Sequence, residues 1–351
     1  MVIRQYIQKK KMKFIKPRIE VIEQKPGLNG MFKQIEMAGR TCYKSEANIT
    51  DDSAEKFVNR MIASKHTAML EHGTLYLDVS IGGIAEDKEY MWKSSIVQFF
   101  KKNQYSRVNK YRTLHRVDDN TMISIYHYAI TTNYRVFIEQ IPWDKLGPMR
   151  STDLGELGLE KDYVLSFACE PTEHHDKRIT IKMFTDRGVS AEANRHRADS
   201  PAEQSTRYCN YSKDKFGNEI TIALNADIDE EVSNQEYTAL EASYGTNNDA
   251  VFKGLCQEII DDKVSIWSVV KTWMFGNMAA EFSYMNLLKM GWTPQQARRV
   301  LPLDLHTELV HTAYEDDWQH FIDLRSIGTT GKPHPDMKLI GDMINEKINN
   351  K

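Results

Sequence analysis

The sequence predicts a chain that mixes helices and strands, and three stretches carry that expectation. Ala54, Phe57, Val58 and Met61 recur at i, i+3, i+4 and i+7, which places apolar side chains on one face of a helix. Leu75, Leu77 and Val79 alternate with Thr74, Tyr76 and Asp78, the pattern of a strand with one buried face. Trp267, Val270, Met274, Met278, Phe282, Met285 and Leu288 mark a long helix with a wide apolar stripe, which is core or subunit-interface material.

With 351 residues, 41% of them hydrophobic and 27% charged, the chain has the profile of a soluble globular protein of one large domain or two ordinary ones. A net charge of -3 argues against a wholesale polyanion binder and leaves room for a local basic patch. Cys42, Cys169, Cys209 and Cys256 show no metal-like spacing, so reduced thiols in a cytoplasmic setting are expected. No apolar run reaches membrane-spanning length. The start, MVIRQYIQKKKMKFIK, is basic without the apolar centre of a secretion signal, and residues 1–17 read as an extension.

In chain order, Lys25-Pro26-Gly27 is a loop, after which Leu28, Met31, Phe32 and Ile35 predict a helix ending in the compact, polar Gly39 to Tyr43. Asp52 and Glu55 resemble a capping box for the next helix, which gives way near Ser64. From Lys88 to Arg116 eight Lys and Arg face one acid, Glu89, with Trp92, Phe99, Phe100, Tyr105 and Tyr111 interleaved. An amphipathic helix with a solvated basic face is the first reading; a site for single-stranded nucleic acid is the alternative. Extended runs are expected at Met122–Tyr128 and Tyr134–Ile138, then Pro142-Trp143 and a glycine-punctuated stretch to Gly158. Glu173-His174-His175-Asp176 lacks a metal-binding frame, because adjacent histidines project in different directions. Ile179, Ile181 and Met183 alternate in a strand that runs into Asp186.

The segment Asp186 to Tyr211, DRGVSAEANRHRADSPAEQSTRYCNY, concentrates Arg195, His196, Arg197 and Arg207 among Ser200, Glu203, Ser205 and Tyr208. Guanidinium forks match phosphate oxygens, and the neighbouring carboxylate and hydroxyls can orient a sugar or base. A helix is expected over Val189 to Arg197 with Ser190 as N-cap, stopped before Pro201 and followed by a loop or turn. Arg195 and Asp199, four apart, could simply pair. Downstream, Lys215 to Asn218 is a turn, Glu219 to Leu224 a strand, and Asp227 to Glu241 an exposed acidic helix. Thr293-Pro294-Gln295-Gln296 is a capping box with proline at the first helical position. Trp318, Phe321, Ile322 and Arg325 form a helical stripe closed by an arginine, which calls for an anionic partner. Gly328 to Lys332 lacks the spacing of a phosphate loop, and residues 341–351 read as a frayed tail.

The string RHR, seven residues, then Ser (Arg195 to Arg197 and Ser205), followed by Arg207-Tyr208, resembles the signature of the flavin-dependent thymidylate synthases, the ThyX family. GWTPQQARRVLPLDLHTEL and HFIDLR match further family segments in order, and the short LEH at Leu70 to His72 resembles a third. Ala202 stands where the family commonly has asparagine, and 328–338 departs from its pattern.

The resemblance implies an α+β fold with a central, mostly antiparallel sheet and long helices, assembled as a homotetramer with sites shared between subunits. The catalytic domain would comprise 18–80 and 178–340, interrupted by an inserted segment, 81–177. The implied reaction is reductive methylation of dUMP to dTMP, with 5,10-methylenetetrahydrofolate as carbon donor, NADPH as reductant and FAD as cofactor. Arg325 and Ser205 are the implied catalytic positions. Glu203, Gln204, Ser205, Arg207, Arg298 and Arg325 would bind substrate; His72, Arg195, His196, Arg197, Glu203 and His320 would bind the flavin. Ser205 lacks an evident base, so it reads as a binding residue, and Cys209 lacks the surroundings of an activated thiol. An inactive nucleotide-binding relative is a further alternative.

Overall fold

The computed structural model describes residues 12–82, 88–118, 121–141 and 161–349. Its centre is a four-stranded antiparallel sheet in the order β2 (Arg18–Ile22), β6 (Arg178–Asp186), β9 (His306–Tyr314), β7 (Ser200–Glu203). A second antiparallel sheet joins β3 (Thr74–Gly82), β5 (Met122–Asn133) and β4 (Arg107–Arg116). The short strands β1 (Lys13–Ile15) and β8 (Thr221–Ala223) pair in parallel. Helices and antiparallel sheets are thus mixed as the sequence implies, with the strands divided among separate sheets.

The two faces of the central sheet differ. On one face Ile181, Met183, Leu309 and Ala313 pack against α5 (Arg187–Ala193), α10 (Glu315–Ile322) and α11 (Pro335–Asn349). Trp318, Phe321 and Ile322, the stripe read from the sequence, are fully buried here, and each such side chain contributes about 1.5–3 kcal/mol. On the other face Thr180, Lys182, Glu308 and Thr312 are buried beneath α1 (Gly27–Tyr43), a polar layer held by hydrogen bonds. Helix α2 (Ser53–Ala63) packs its Ala54, Phe57, Val58 and Met61 stripe inward, as its spacing predicts.

The segment 81–177 adds α3 (Lys88–Lys102), the β4–β5 hairpin and α4 (Lys161–Leu165), so β3 continues directly into it. The Tyr314 hydroxyl lies within donating reach of the carbonyls of Thr131 (3.0 Å) and Tyr105 (3.2 Å), which share its one proton, and Arg107 pairs with Asp316 at 2.6 Å. These contacts tie the second sheet to the end of β9. The remaining helices, α6 (Glu230–Tyr244), α7 (Asn248–Ile260), α8 (Val269–Lys289) and α9 (Pro294–Ala297), follow the central segment, and α6, α7 and α8 share a core with Met12.

Several expectations are corrected. The extended run expected at Tyr134–Ile138 is instead a π-helical turn over Val136–Gln140, whose first amide donates to Asn133 Oδ1 at 3.1 Å. The Asp52–Glu55 box does not form; the Asp52 carboxylate is taken by Lys56. Helix α5 begins earlier than expected, because Asp186 rather than Ser190 accepts the first free amide, that of Val189, at 2.7 Å. Ser200–Glu203 is a strand rather than a loop, and Pro201 is accommodated because β7 is at the sheet edge.

At the N-terminus, 1–11 lie outside the described residues, whereas Lys13–Ile15 belongs to a sheet and Met12 is buried. Pro142-Trp143 and the stretch to Gly158 also lie outside them. The expected frayed tail is largely ordered: α11 runs to Asn349 and buries Ile340, Gly341 and Ile344. Ile344→Ala should therefore lower the stability measured by urea unfolding by about 2–5 kcal/mol, whereas a frayed tail would leave the unfolding midpoint unchanged.

Candidate functional site

Strand β6 delivers the arginine-rich segment to the apolar side of the central sheet. Helix α5 stops at Ala193, and the chain turns over β9 before returning as β7. This turn brings His196 against the α10 side of the core, with its ring 4.4 Å from that of Phe321. Arg325, 129 residues later, donates from Nε to His196 Nε2 at 3.0 Å and from Nη1 to Glu192 Oε2 at 2.8 Å. Nη2 reaches the Glu192 carbonyl at 3.4 Å. Glu192 is thus the anionic partner demanded by the Trp318-to-Arg325 stripe, although the sequence did not single it out.

A pocket of about 370 Å3 opens here, lined among others by Arg195, His196, Arg197, His320 and Arg325. Arg195 and Arg197 are exposed and have no carboxylate partner among the described residues. The pairing of Arg195 with Asp199 is not made: Asp199 is buried and meets His311 Nδ1 at 2.9 Å. His311 Nε2 faces Asn194 Oδ1 at 3.3 Å, so this buried pair fixes the turn that carries the two exposed arginines.

Burial pushes the His196 imidazole down to about 4; Arg325 lowers it further while Asp199 opposes. A neutral His196 can accept from Arg325 at Nε2 and keep its proton on Nδ1. Arg325 therefore has a fixed plane, with one N–H on each terminal nitrogen left over from these three bonds.

A second group lies around the start of α9. Arg207 Nε donates to Gln295 Oε1 at 2.7 Å, and Arg298 reaches Thr206 Oγ1 at 3.4 Å. Ser205 Oγ accepts from the Arg207 amide at 3.3 Å, and the Ser205 amide donates to the Cys42 carbonyl at 2.9 Å. Both arginines are exposed and meet only neutral oxygens here. The exposed ring of Tyr208 lies 5.3 Å from that of Tyr43. The chain gathers Arg195, His196, Arg197, His320 and Arg325 in one group and Ser205, Arg207 and Arg298 in another.

Glu203 stands between these groups, but its carboxylate is engaged by Arg187, by Thr307 Oγ1 at 3.0 Å and by Asn194 Nδ2 at 3.2 Å. Gln204 is placed differently from the expectation of a substrate contact. Its side chain is buried, donating to the Tyr211 hydroxyl at 3.3 Å. His72 lies apart from the arginine pocket within the chain. It is fully buried on the opposite side of the sheet, where its Nδ1 meets Thr312 Oγ1 at 2.9 Å. Thr312 and His311 are consecutive in β9, so their side chains point to opposite faces, and the sheet separates His72 from the arginine pocket. Cys209 is likewise buried, which pushes its thiol up to about 11 and leaves no thiolate nucleophile.

Sequence reading missed a buried charge group beside the second cluster. Glu308 pairs with Lys182 at 2.7 Å and with Lys44. Burial alone would raise the Glu308 carboxyl, but His306, Lys182 and Lys44 outweigh it and hold it well below the usual range. The three partners come from the residue after α1, from β6 and from β9, so no local motif announces them.

His196 and His72, two of the histidines that burial depresses, set a pH dependence. Burial also pushes His72 down to about 3, whereas an unfolded histidine titrates near 6.5. Below that pH the unfolded chain binds more protons than the folded one, so stability is lost as pH falls through the window toward these folded values. Urea unfolding between pH 8 and pH 4 should show a plateau at the upper end and a decline at the lower, and His196→Gln should make the decline shallower.

These arrangements can be set beside known proteins. No curated protein matches the chain. Two solved structures of the UMP/dUMP methylase PolB from Streptomyces cacaoi, bound with 5-Br dUMP and with 5-Br UMP, align at 12% and 11% identity. Each alignment covers 96% of this chain, and 91% and 90% of the other, with a TM-score of 0.36 in both, too loose to carry an argument. The model of the thymidylate synthase complementing protein family matches residues 168–349, a span that includes both arginine groups. That match covers just over half of the chain, and the chain belongs to this family.

Proposed function

We propose that the protein catalyses reductive methylation of dUMP to dTMP, taking the carbon from 5,10-methylenetetrahydrofolate and reducing equivalents from NADPH through FAD. The observation that carries this reading is a pocket lined by Arg325, His196, Arg195 and Arg197, in which Arg325 is held by His196 and, behind the lining, by Glu192. Remote segments meet to hold one cation in place beside two exposed ones, the arrangement expected where a polarised ring lies next to a diphosphate.

The residues present fit FAD. Arg195 and Arg197, exposed and without a carboxylate partner among the described residues, offer forks for its diphosphate, while His196 and the exposed His320, with ring centroids 6.3 Å apart, suit a flat ring system. A pocket of about 370 Å3 admits a ring but not a whole dinucleotide, so in the homotetramer that the family resemblance implies a neighbouring subunit would complete each site. When bound, FAD supplies a two-electron carrier.

The protein's own contribution is positioning and charge. Methyl transfer needs electron density at carbon 5 of uracil, and Arg325 would stabilise charge on the ring oxygens. Glu192 and neutral His196 already hold the guanidinium, so little reorganisation is required. Arg207 and Arg298 would take the phosphate, because their present partners are neutral and exchangeable. Ser205 would orient the nucleotide. Glu203 would act mainly by fixing Asn194 and Arg187.

The test is a visible spectrum after adding FAD and desalting, followed by titration with dUMP. The wild type should retain a flavin band that dUMP perturbs. Arg207→Ala should keep the band but weaken dUMP binding by about tenfold or more, and Arg325→Ala should abolish turnover while retaining nucleotide. A colourless protein that also fails to bind dUMP overturns the reading; a perturbed band without turnover under the full substrate set favours an inactive relative.

A further inference from the structure

The basic stretch from Lys88 to Arg116 is not one solvated helix. It divides into α3 and β4, and the division sets its cations among tyrosines on one face of the second sheet. Lys110 is paired across the ladder with Tyr128, and Arg112 with Tyr126, in adjacent rows of that face. Alternation along β4 puts Lys110 and Arg112 on the same side. Lys110 Nζ lies 3.9 Å from the Tyr126 ring centroid and 5.8 Å from that of Tyr128, which Lys101 Nζ approaches at 4.9 Å from α3.

A groove of about 410 Å3 runs between α3 and the hairpin, lined by Tyr90, Ser94, Gln98, Lys110, Tyr126 and Tyr128 among others. Tyr126 is 41% exposed and Tyr90 38%. Among the described residues Lys101, Lys110 and Arg112 have no carboxylate partner, unlike Arg107, which Asp316 holds. In a chain of net charge -3, a face with three unpaired cations and two accessible phenol rings is a local exception. An ordinary solvated surface interleaves both signs of charge.

We propose that this face binds single-stranded nucleic acid, with a base stacked on Tyr126 and backbone phosphates on Lys101, Lys110 and Arg112. The groove has room for a single ring, and an aromatic platform beside cations suits unpaired bases, whose faces a duplex hides. In the free protein Lys110 covers the Tyr126 ring. On binding, the ammonium exchanges that ring for a phosphate while the base takes its place, so neither group loses a partner. This surface involves none of the residues assigned to nucleotide methylation, so it can be tested separately.

The experiment is fluorescence anisotropy of the full chain with labelled twelve-nucleotide oligo(dT) and oligo(U), at several salt concentrations, with the corresponding duplex as control. Binding should weaken with salt with a log–log slope of about -2, for three phosphate contacts at roughly 0.7 each. Lys110→Glu combined with Arg112→Glu should lower affinity by about tenfold or more and flatten the slope. Tyr126→Ala should lower affinity by about tenfold while leaving the slope unchanged. Circular dichroism must show each variant folded. No binding of either oligonucleotide by the wild type at low salt, equal affinity for the duplex, or folded variants that bind as the wild type does would overturn the proposal.

Discussion

The register of Arg178–Asp186 against His306–Tyr314 is the constraint on which the rest of the structure depends. Side chains alternate along both strands, so a one-residue slip of β6 would carry Ile181 and Met183 to the α1 side and bury Thr180 or Lys182 among Trp318 and Phe321. Both strands also end where chemistry begins. Asp186 closes β6 and caps α5, which launches the arginine turn, while Tyr314 closes β9 and is followed by the helix that ends in Arg325's turn. The correct pairing thus sets the distance between Glu192, His196 and Arg325 before any ligand is present.

The polar face of the same sheet raises the opposite problem, since burying Lys182 and Glu308 is costly unless each is paired. Helix α1 supplies Thr41 and Gln34, the first facing Lys182 at 3.3 Å and the second donating to Thr180 and to the His72 carbonyl. Lys44, just beyond the same helix, reaches Glu308. A hydrophobic layer would tolerate a small shift of α1, whereas these directional contacts do not. The strand β7, with Ser205 and Arg207 beyond it, is held at the sheet edge next to this layer, as Gln204 donates its amide to the Glu308 carbonyl at 2.8 Å.

What was legible in the sequence follows from how local each cause is. Periodicity located α1, α2, α8, α10 and the strands β3 and β6, because each buries one face and its own residues record which. The start of α5 was misplaced because two residues, Asp186 and Ser190, can both cap and only the strand end decides between them. β7 was missed because Pro201 reads as a loop and is tolerated only at an edge. In the candidate site, the arginines and the need for an anion beside Arg325 were visible. Glu192 was not, since its partner lies 133 residues away. The position of His72 was not legible for a related reason: a short motif before a strand does not say on which side of a neighbouring sheet its ring will lie.

Charge pairing separates the arginines in a way their number alone does not. Arg325 has a carboxylate partner at 2.8 Å and a neutral imidazole on Nε, so its field is largely compensated and its direction fixed. Arg207 and Arg298 have amide and hydroxyl oxygens instead, and Arg195 and Arg197 have no carboxylate partner among the described residues. A dianionic phosphate gains most where guanidinium charge is uncompensated and accessible, and would compete with Glu192 at Arg325. A ring whose charge develops only during reaction gains most from a donor already held in place, because no reorganisation is then required. Under the proposed function this assigns the phosphate to Arg207 and Arg298, the diphosphate to Arg195 and Arg197, and the pyrimidine to Arg325. Glu192 enforces that division by making Arg325 a poor resting place for a phosphate.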